Sequence, residues 1–347
     1  LKTALAWLGA QSGPPPHEVA TAPLVGWLPM LHRRPPGHPR GGSGVLSDAL
    51  ARRLAADGGT VRCGDGAARI TRGPGGRVDG VVTASGAHVR ARAVLAGCHV
   101  LTTAALLDDD TFSPRVRRDA RVGQGIGMAV RLDTTDLPRY PSDPGAAHRA
   151  MQLLAPSRAH LRAAYGDHLA GRQPQRPAAL ALTFSAFDDT LAPPGRHAVT
   201  VWGQWHPYAL ADGASWDDAG QRAADRLVAE VERAAPGFAS AVERVHVQTP
   251  ADLERELGLH GGNVMHLEMG LDAMFALRPL PGLAAYRSGV EGLYLTGAST
   301  HPGGGISGAS GRSAAQTVIG DLTGGRRGRV RRTVRRTARR AVWRVAG

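Results

Sequence analysis

The chain has 347 residues, 42% of them hydrophobic, enough for one large or two ordinary domains with a substantial core. Its net charge of +13 is concentrated in ten arginines between Arg326 and Arg344, and setting those ten aside leaves +3, which argues against a nucleic-acid-binding body. Two cysteines, Cys63 and Cys98, exclude a disulfide framework and fit a reducing cytoplasm, and no uninterrupted apolar run approaches the roughly 20 residues that span a bilayer.

The opening LKTALAWLGA reads as a short apolar helix that begins in mid-pattern, as a piece of a longer protein does, and a Pro/His/Arg-rich loop follows to residue 40. Leu46, Leu50 and Leu54 recur every four residues and predict a helix stopped by Gly58-Gly59. Thr60–Cys63 reads as a strand, with both cysteines expected to pack as small hydrophobes beside apolar strands. A β-meander comes next, AARIT joined to RVDGVVTA through the turn Gly73-Pro74-Gly75-Gly76 and then to AHVRARAVLAG, whose apolar end suits a buried parallel strand. From residue 106 to 290 the strands GMAVRLD, AALALTFSAF and HAVTVWGQW alternate with Pro/Gly/Asp loops. A helix over Trp216–Ala235 places Ala223, Leu227, Val231 and Ala234 on one face, and another over Ala251–Leu257 follows Thr249-Pro250, a cap and a first-turn proline. Leu293–Thr296 is a strand, Ile306–Leu322 a helix, and the remainder a basic tail.

Several chemistries can be set aside. None of the fourteen histidines falls in H-E-x-x-H or in a Cys/His cluster with zinc spacing, so no metal is expected. Ser307 and Ser310 lie near a strand-to-helix turn, but the fifth position of a G-x-S-x-G elbow is Ala309 or Arg312 instead of Gly. The tail places Val330, Val334, Ala338, Ala341 and Val345 in a thin stripe among arginines, a pattern that suits peripheral contact with an anionic membrane surface as well as it suits a solvated tail.

The glycine-rich stretch LYLTGASTHPGGGISGASGRSAA, Leu293–Ala315, contains the letters G-x-G-x-x-G at Gly303–Gly308. A dinucleotide fingerprint needs a strand before it, a helix after it and an acidic residue about 20 positions on, at the end of a second strand. The arginine tail takes the place of that second strand, so no βαβ unit exists. What remains is a turn whose glycines let backbone N–H groups approach a ligand, followed by a helix whose positive end favours negative charge.

The same stretch resembles the C-terminal flavin motif of phytoene-desaturase-like FAD-dependent oxidoreductases, approximately LYL-x-GAGTHPGGG-x-x-G, and is closest to the branch named for pyridine nucleotide-disulfide oxidoreductase domain-containing protein 2. RGGSGVLSDALARRLAADGGTVRCG, SAFDDTLAPPGRHAVTVWGQWHPY, TPADLERELGLHGGNVMH and ALRPLPGLAAYRSGVEGLYL extend the likeness from about residue 40 to 322. The resemblance implies an α/β flavoprotein with an incomplete, discontinuous Rossmann-like FAD-binding domain (41–105 and 288–322) plus a mixed α+β substrate domain (1–40 and 106–287), then a basic tail (323–347). It implies FAD as cofactor, with Gly297 and Ala298 near the pyrophosphate and ribityl chain, Gly305, Ile306 and Ser307 facing the isoalloxazine, and Ala67 at the adenine. His301 beside Pro302 is a candidate ring contact or a structural turn residue. The expected reaction is hydride transfer from a lipophilic, isoprenoid-like substrate to flavin, in the cytoplasm, with no side-chain acid or base required. Ser299 replaces a family Gly, and Gly97-Cys98-His99 replaces Asn-Ala-Asp. The family's N-terminal G-x-G-x-x-G unit is absent, so an N-terminal polypeptide is the expected partner. The rival expectation is a non-catalytic remnant or split-enzyme subunit interacting through its arginine tail.

Overall fold

A computed structural model describes residues 1–11, 13 and 37–324. The arginine tail from Arg326 to Arg344, with the membrane contact and interaction surface expected of it, lies outside the described residues, as does most of the Pro/His/Arg-rich loop. In chain order the elements are α1 (Lys2–Ala10), α2 (Gly44–Ala56), β1 (Ala67–Arg72), β2 (Val78–Thr83), β3 (His88–Arg90), β4 (Val94–Ala96), α3 (Val100–Leu106), α4 (Phe112–Asp119) and β5 (Gly127–Thr134). They continue with β6 (Gln152–Leu154), α5 (Arg158–Leu169), β7 (Ala179–Leu182), β8 (His197–Gln204), α6 (Trp216–Ala234), β9 (Val242–Gln248), α7 (Pro250–Leu257), β10 (Leu293–Leu295) and α8 (Ala309–Thr323). They divide into two units, residues 1–64 with 121–273 and residues 65–120 with 274 onward.

The first unit is built on an antiparallel sheet in the order β6-β7-β8-β5-β9. Side chains alternate across the pleat: Met128, Val130 and Leu132 of β5 and Val199 and Val201 of β8 share one core with Trp216, Ala219, Ala223, Leu227 and Val231 of α6. The apolar stripe expected on α6 is therefore its buried face, and Ser215 caps its start by accepting from the Asp218 N–H. Helix and sheet close on each other at Gly203, where a Cβ would lie 2.8 Å from Leu227. Leu180 and Trp202 point the other way, into a second core with Trp7 and Ala10 of α1, Leu161 and Ala164 of α5, and Trp205. Thr249 caps α7 with Pro250 in the first turn, as the sequence predicts, and Asp252 completes a reciprocal capping box.

In the second unit β1, β2 and β3 form the antiparallel meander. β4 pairs in parallel with β10, Leu293 opposite Val94 and Leu295 opposite Ala96, across almost two hundred residues of sequence. The chain is thus mixed α/β. Three expectations need correction. Thr60–Cys63 is not a strand, and Val61 is exposed. Cys63 and Cys98 are both exposed; Cys63 sits in unpaired coil, and Cys98 lies beyond the end of β4 with its Sγ 3.3 Å from the Thr103 hydroxyl. The last helix begins at Ala309, three residues after the expected Ile306. Helices α3, α4 and α5 and strands β6 and β9 are additions to the sequence reading. No described helix is long and apolar enough to cross a membrane, and no cluster of metal-ligating side chains occurs among the described residues.

Two imidazoles are buried in the first unit. Burial pulls both His168 and His206 down to about 4, so each ring is neutral in the folded chain at pH 7. The unfolded chain, with its histidines near pH 6.5, takes up protons first as the pH falls. Stability is therefore fully present above about pH 6.5 and is lost progressively toward pH 4. Thermal unfolding between pH 7.5 and 4.5 should show a falling melting temperature, and His168→Gln should flatten that slope; a flat wild-type profile would contradict neutral burial.

Candidate cofactor-binding turn

β10 is buried along its whole length because it lies in the interior of the second unit and carries only Leu293, Tyr294 and Leu295. The chain then leaves the sheet beside the end of β4. The Thr296 N–H donates to the Ala96 carbonyl at 2.9 Å. Gly297 takes φ +78, and a Cβ there would lie 2.6 Å from the Gly97 carbonyl oxygen. Both the left-handed backbone and the contact demand glycine.

Three hydroxyls fix the turn. Thr300 donates to the Gly297 carbonyl at 2.9 Å, its Oγ1 lies 2.5 Å from the Ser310 hydroxyl, and that hydroxyl lies 3.1 Å from the Thr296 Oγ1. The bonds run in one direction: Thr296 donates to Ser310, Ser310 to Thr300, and Thr300 to the carbonyl. The two departures from the family pattern take part in this framework. Ser299, buried, accepts from the Val100 N–H at 3.0 Å. His99, also buried, accepts from the Leu101 N–H at 3.1 Å through Nδ1. Together they satisfy two of the N–H groups that the first turn of α3 cannot satisfy internally.

Beneath the turn lies Arg278, with no exposed surface. Its Nε and Nη2 both donate to the Ala298 carbonyl, at 3.1 and 2.7 Å. Burial pulls the guanidinium down to about 10, which leaves it charged at neutral pH. The His301 ring lies 5.4 Å from that of Phe275, and its carbonyl accepts from the Tyr286 hydroxyl at 3.0 Å.

From Gly303 the backbone is left-handed at Gly303, Gly305, Ile306 and Gly308. The run of positive φ explains why α8 starts late. Gly305, Ile306 and Ser307 form an exposed loop before the helix and are not its first turn. Ile306 is the physical oddity, a β-branched residue at φ +55 with 85% of its surface exposed, which costs about 1–3 kcal/mol of backbone strain and gains no burial. Among the described residues no protein group accepts the N–H of Gly297, Ala298, Gly304, Gly305, Ile306, Ser307 or Gly308. An open depression of about 390 Å³ lined by Ser307, Gly308, Ala309, Arg312, Ser313 and Gln316 adjoins this row. At its other end α8 is fastened by Arg287, which grips Asp321 with two hydrogen bonds of 2.7 and 2.9 Å, and by the Tyr294 hydroxyl at 3.0 Å from the same carboxylate. Burial first, and that carboxylate second, raise the Tyr294 phenol.

Five of the six residues expected at the cofactor thus stand on one continuous turn. Ala67 stands apart, exposed at the start of β1 and paired with Thr83 in the meander, next to a register slip. The sequence reading missed Arg278; its only signal was an arginine inside the apolar run ALRPLPGL.

No protein-family model matches the chain. It is 37% identical over 295 residues to pyridine nucleotide-disulfide oxidoreductase domain-containing protein 2 of Rattus norvegicus, covering 82% of this chain and 51% of that protein. It is 28% identical over 286 residues to phytoene dehydrogenase of Streptomyces griseus, covering 81% and 53%. The chain spans about half the length of these curated relatives. The crystal structure of an oxidoreductase from Methanosarcina mazei shares its fold, with a TM-score of 0.60 at 17% identity, covering 92% of this chain and 64% of that one. The chain is thus a homologue of pyridine nucleotide-disulfide oxidoreductase domain-containing protein 2 and, at lower identity, of phytoene desaturases and dehydrogenases.

Proposed function

We propose that this chain supplies the C-terminal half of an FAD site, and with it the substrate unit, of an oxidoreductase that removes hydride from a lipophilic, isoprenoid-like substrate. The observation that carries the reading is the row of unclaimed backbone N–H groups from Gly304 to Gly308, held ahead of α8 in a strained, exposed loop. A loop built only for packing would bury Ile306 and bond its own donors. Left-handed successive residues instead present their N–H groups outward, as anion- and carbonyl-binding backbone does, and the α8 dipole adds partial positive charge at the same end. When bound, FAD would supply the hydride acceptor. Gly297 and Ala298 would stand against its ribityl and diphosphate portion, Gly305 to Ser307 would donate to the flavin ring edge, and Ala67 would meet the adenine through its backbone. The chain's own contribution is orientation and fixed electrostatics, so no acid–base residue is assigned.

The reading also calls for a second polypeptide segment carrying the N-terminal dinucleotide fingerprint. Its support is physical. Leu46, Leu50 and Leu54 of α2 are 43, 64 and 45% exposed, and α2 buries none of its residues, whereas an isolated helix of that length is marginal in water. Leu95 of β4 is likewise exposed, in a parallel pair of strands that ordinarily belongs to a larger sheet covered on both faces. The lipophilic substrate is supported by the relatives' own names, phytoene dehydrogenase and phytoene desaturase.

Three measurements test the reading. Purified chain should bind added FAD saturably but weakly, read by quenching of flavin fluorescence; flavin retained in equimolar amount through purification would overturn the half-site. Ser307→Asp places a carboxylate at the helix N-terminus, so it should keep or slightly raise the melting temperature while cutting FAD affinity by about tenfold or more; unchanged affinity would remove the loop from the site. Ile306→Gly should relieve the left-handed strain, raising stability by up to about 1 kcal/mol, yet weaken FAD binding, because the loop then has to be ordered by the ligand. A stability loss would show that Ile306 serves packing.

A further inference from the structure

We propose that Arg278 is the positioning residue of the cofactor turn, a buried cation that fixes the Ala298 carbonyl and sets a positive charge behind the backbone that meets the diphosphate. The proposal rests on the FAD reading for the second of those roles and on geometry alone for the first.

A carbonyl can be held by any donor, and a space beneath a turn can be filled by an apolar side chain. Arg278 does both at greater cost. Its side chain is fully buried, and removing a guanidinium from water is expensive where a hydrophobic residue of similar volume would be neutral or better for stability. The guanidinium is aimed with two nitrogens at one oxygen, and that oxygen belongs to the Ala298–Ser299 peptide, one residue beyond Gly297. Because the peptide unit is planar, fixing the Ala298 carbonyl also fixes the opposed N–H of Ser299. The conformation of residues 297–300 then follows, including the Thr300 N–H bond to the Gly297 carbonyl at 3.1 Å and the Ser299 hydroxyl that caps Val100. Ala298 keeps its own N–H unclaimed by protein. A fixed positive charge beside the Ala298 carbonyl acts through low-dielectric protein, where it is little screened by salt. It therefore favours an anionic group at the turn without touching it.

The test uses the full chain with Arg278→Met, which keeps most of the volume and removes charge and donors, and Arg278→Lys, which keeps the charge and loses the planar fork. Hydrogen exchange is followed at the Val100, Thr300 and Gly303 amides, with the amides of β1 and β2 as reference within the same unit. Both variants should accelerate exchange at the three turn amides by about tenfold and leave the reference amides unchanged. Exchange at the turn within about twofold of wild type in both variants, or an equal rise in the reference strands in both, would overturn the positioning role.

A second arm separates charge from shape by comparing FAD with riboflavin, which lacks the diphosphate. Arg278→Met should lose affinity for FAD by about tenfold and barely change for riboflavin, while Arg278→Lys should retain most FAD affinity. Equal loss for both ligands would overturn the electrostatic part. Should the wild-type chain bind neither flavin, the FAD reading and the charge role fall together, and the exchange arm still decides whether Arg278 holds the turn.

Discussion

Gly297 passes the carbonyl of Gly97 so closely that no side chain fits between them, and the rest of the candidate site depends on that approach. It brings the ends of β4 and β10 together, so that one exit carries the Ser299 cap for α3 and the other carries His99. It also sets where the hydroxyl relay of Thr296, Ser310 and Thr300 can form. The framework ties together the hydroxyls of Thr296, Thr300 and Ser310 and the Gly297 carbonyl. The donors of Gly304 to Gly308 are left over on the outer side. Hydroxyls that bond one another and a row of backbone donors that stay unused are two sides of one backbone conformation.

The parts of the fold that could be read from the sequence are those in which local preference and burial agree. α6 announced itself through Ala223, Leu227 and Val231 at helical spacing, and α7 through Thr249-Pro250, because caps and periodicity are short-range signals. The meander was legible from its turn glycines. α3 and α4 escaped because seven or eight residues give too few periods to register, and α5 because Gly166 interrupts its pattern. β9 carries a usable signal in the alternation of Val245 and Val247.

At the candidate site the glycine letters were informative, but the conformations were not. An isoleucine at positive φ runs against its own preference, so nothing in the letters could move the start of α8 from Ile306 to Ala309. Cys63 and Cys98 are exposed although apolar runs flank both, because a neighbourhood in sequence is not one in space. Arg278 was invisible for a related reason. Its meaning lies in a contact with Ala298, twenty residues on, and a lone arginine in a proline-rich run says nothing of where its guanidinium goes. The departures Ser299 and His99 looked like losses against a family pattern, whereas each has a hydrogen bond of its own to make.

The parallel pairing of β4 with β10 also has a consequence in time. Val94 and Leu293 are partners, yet a ribosome adding about 5–20 residues per second reaches the second roughly 10–40 s after the first. Throughout that interval β4 lacks β10, its partner among the described strands, while the five-stranded sheet between them can already form, since all its strands lie within residues 127–248. Biosynthesis therefore can complete the five-stranded sheet while β4, with its exposed Leu95, still waits for β10. The glycine turn, last to emerge among the described elements save α8, closes the second unit in a single late step.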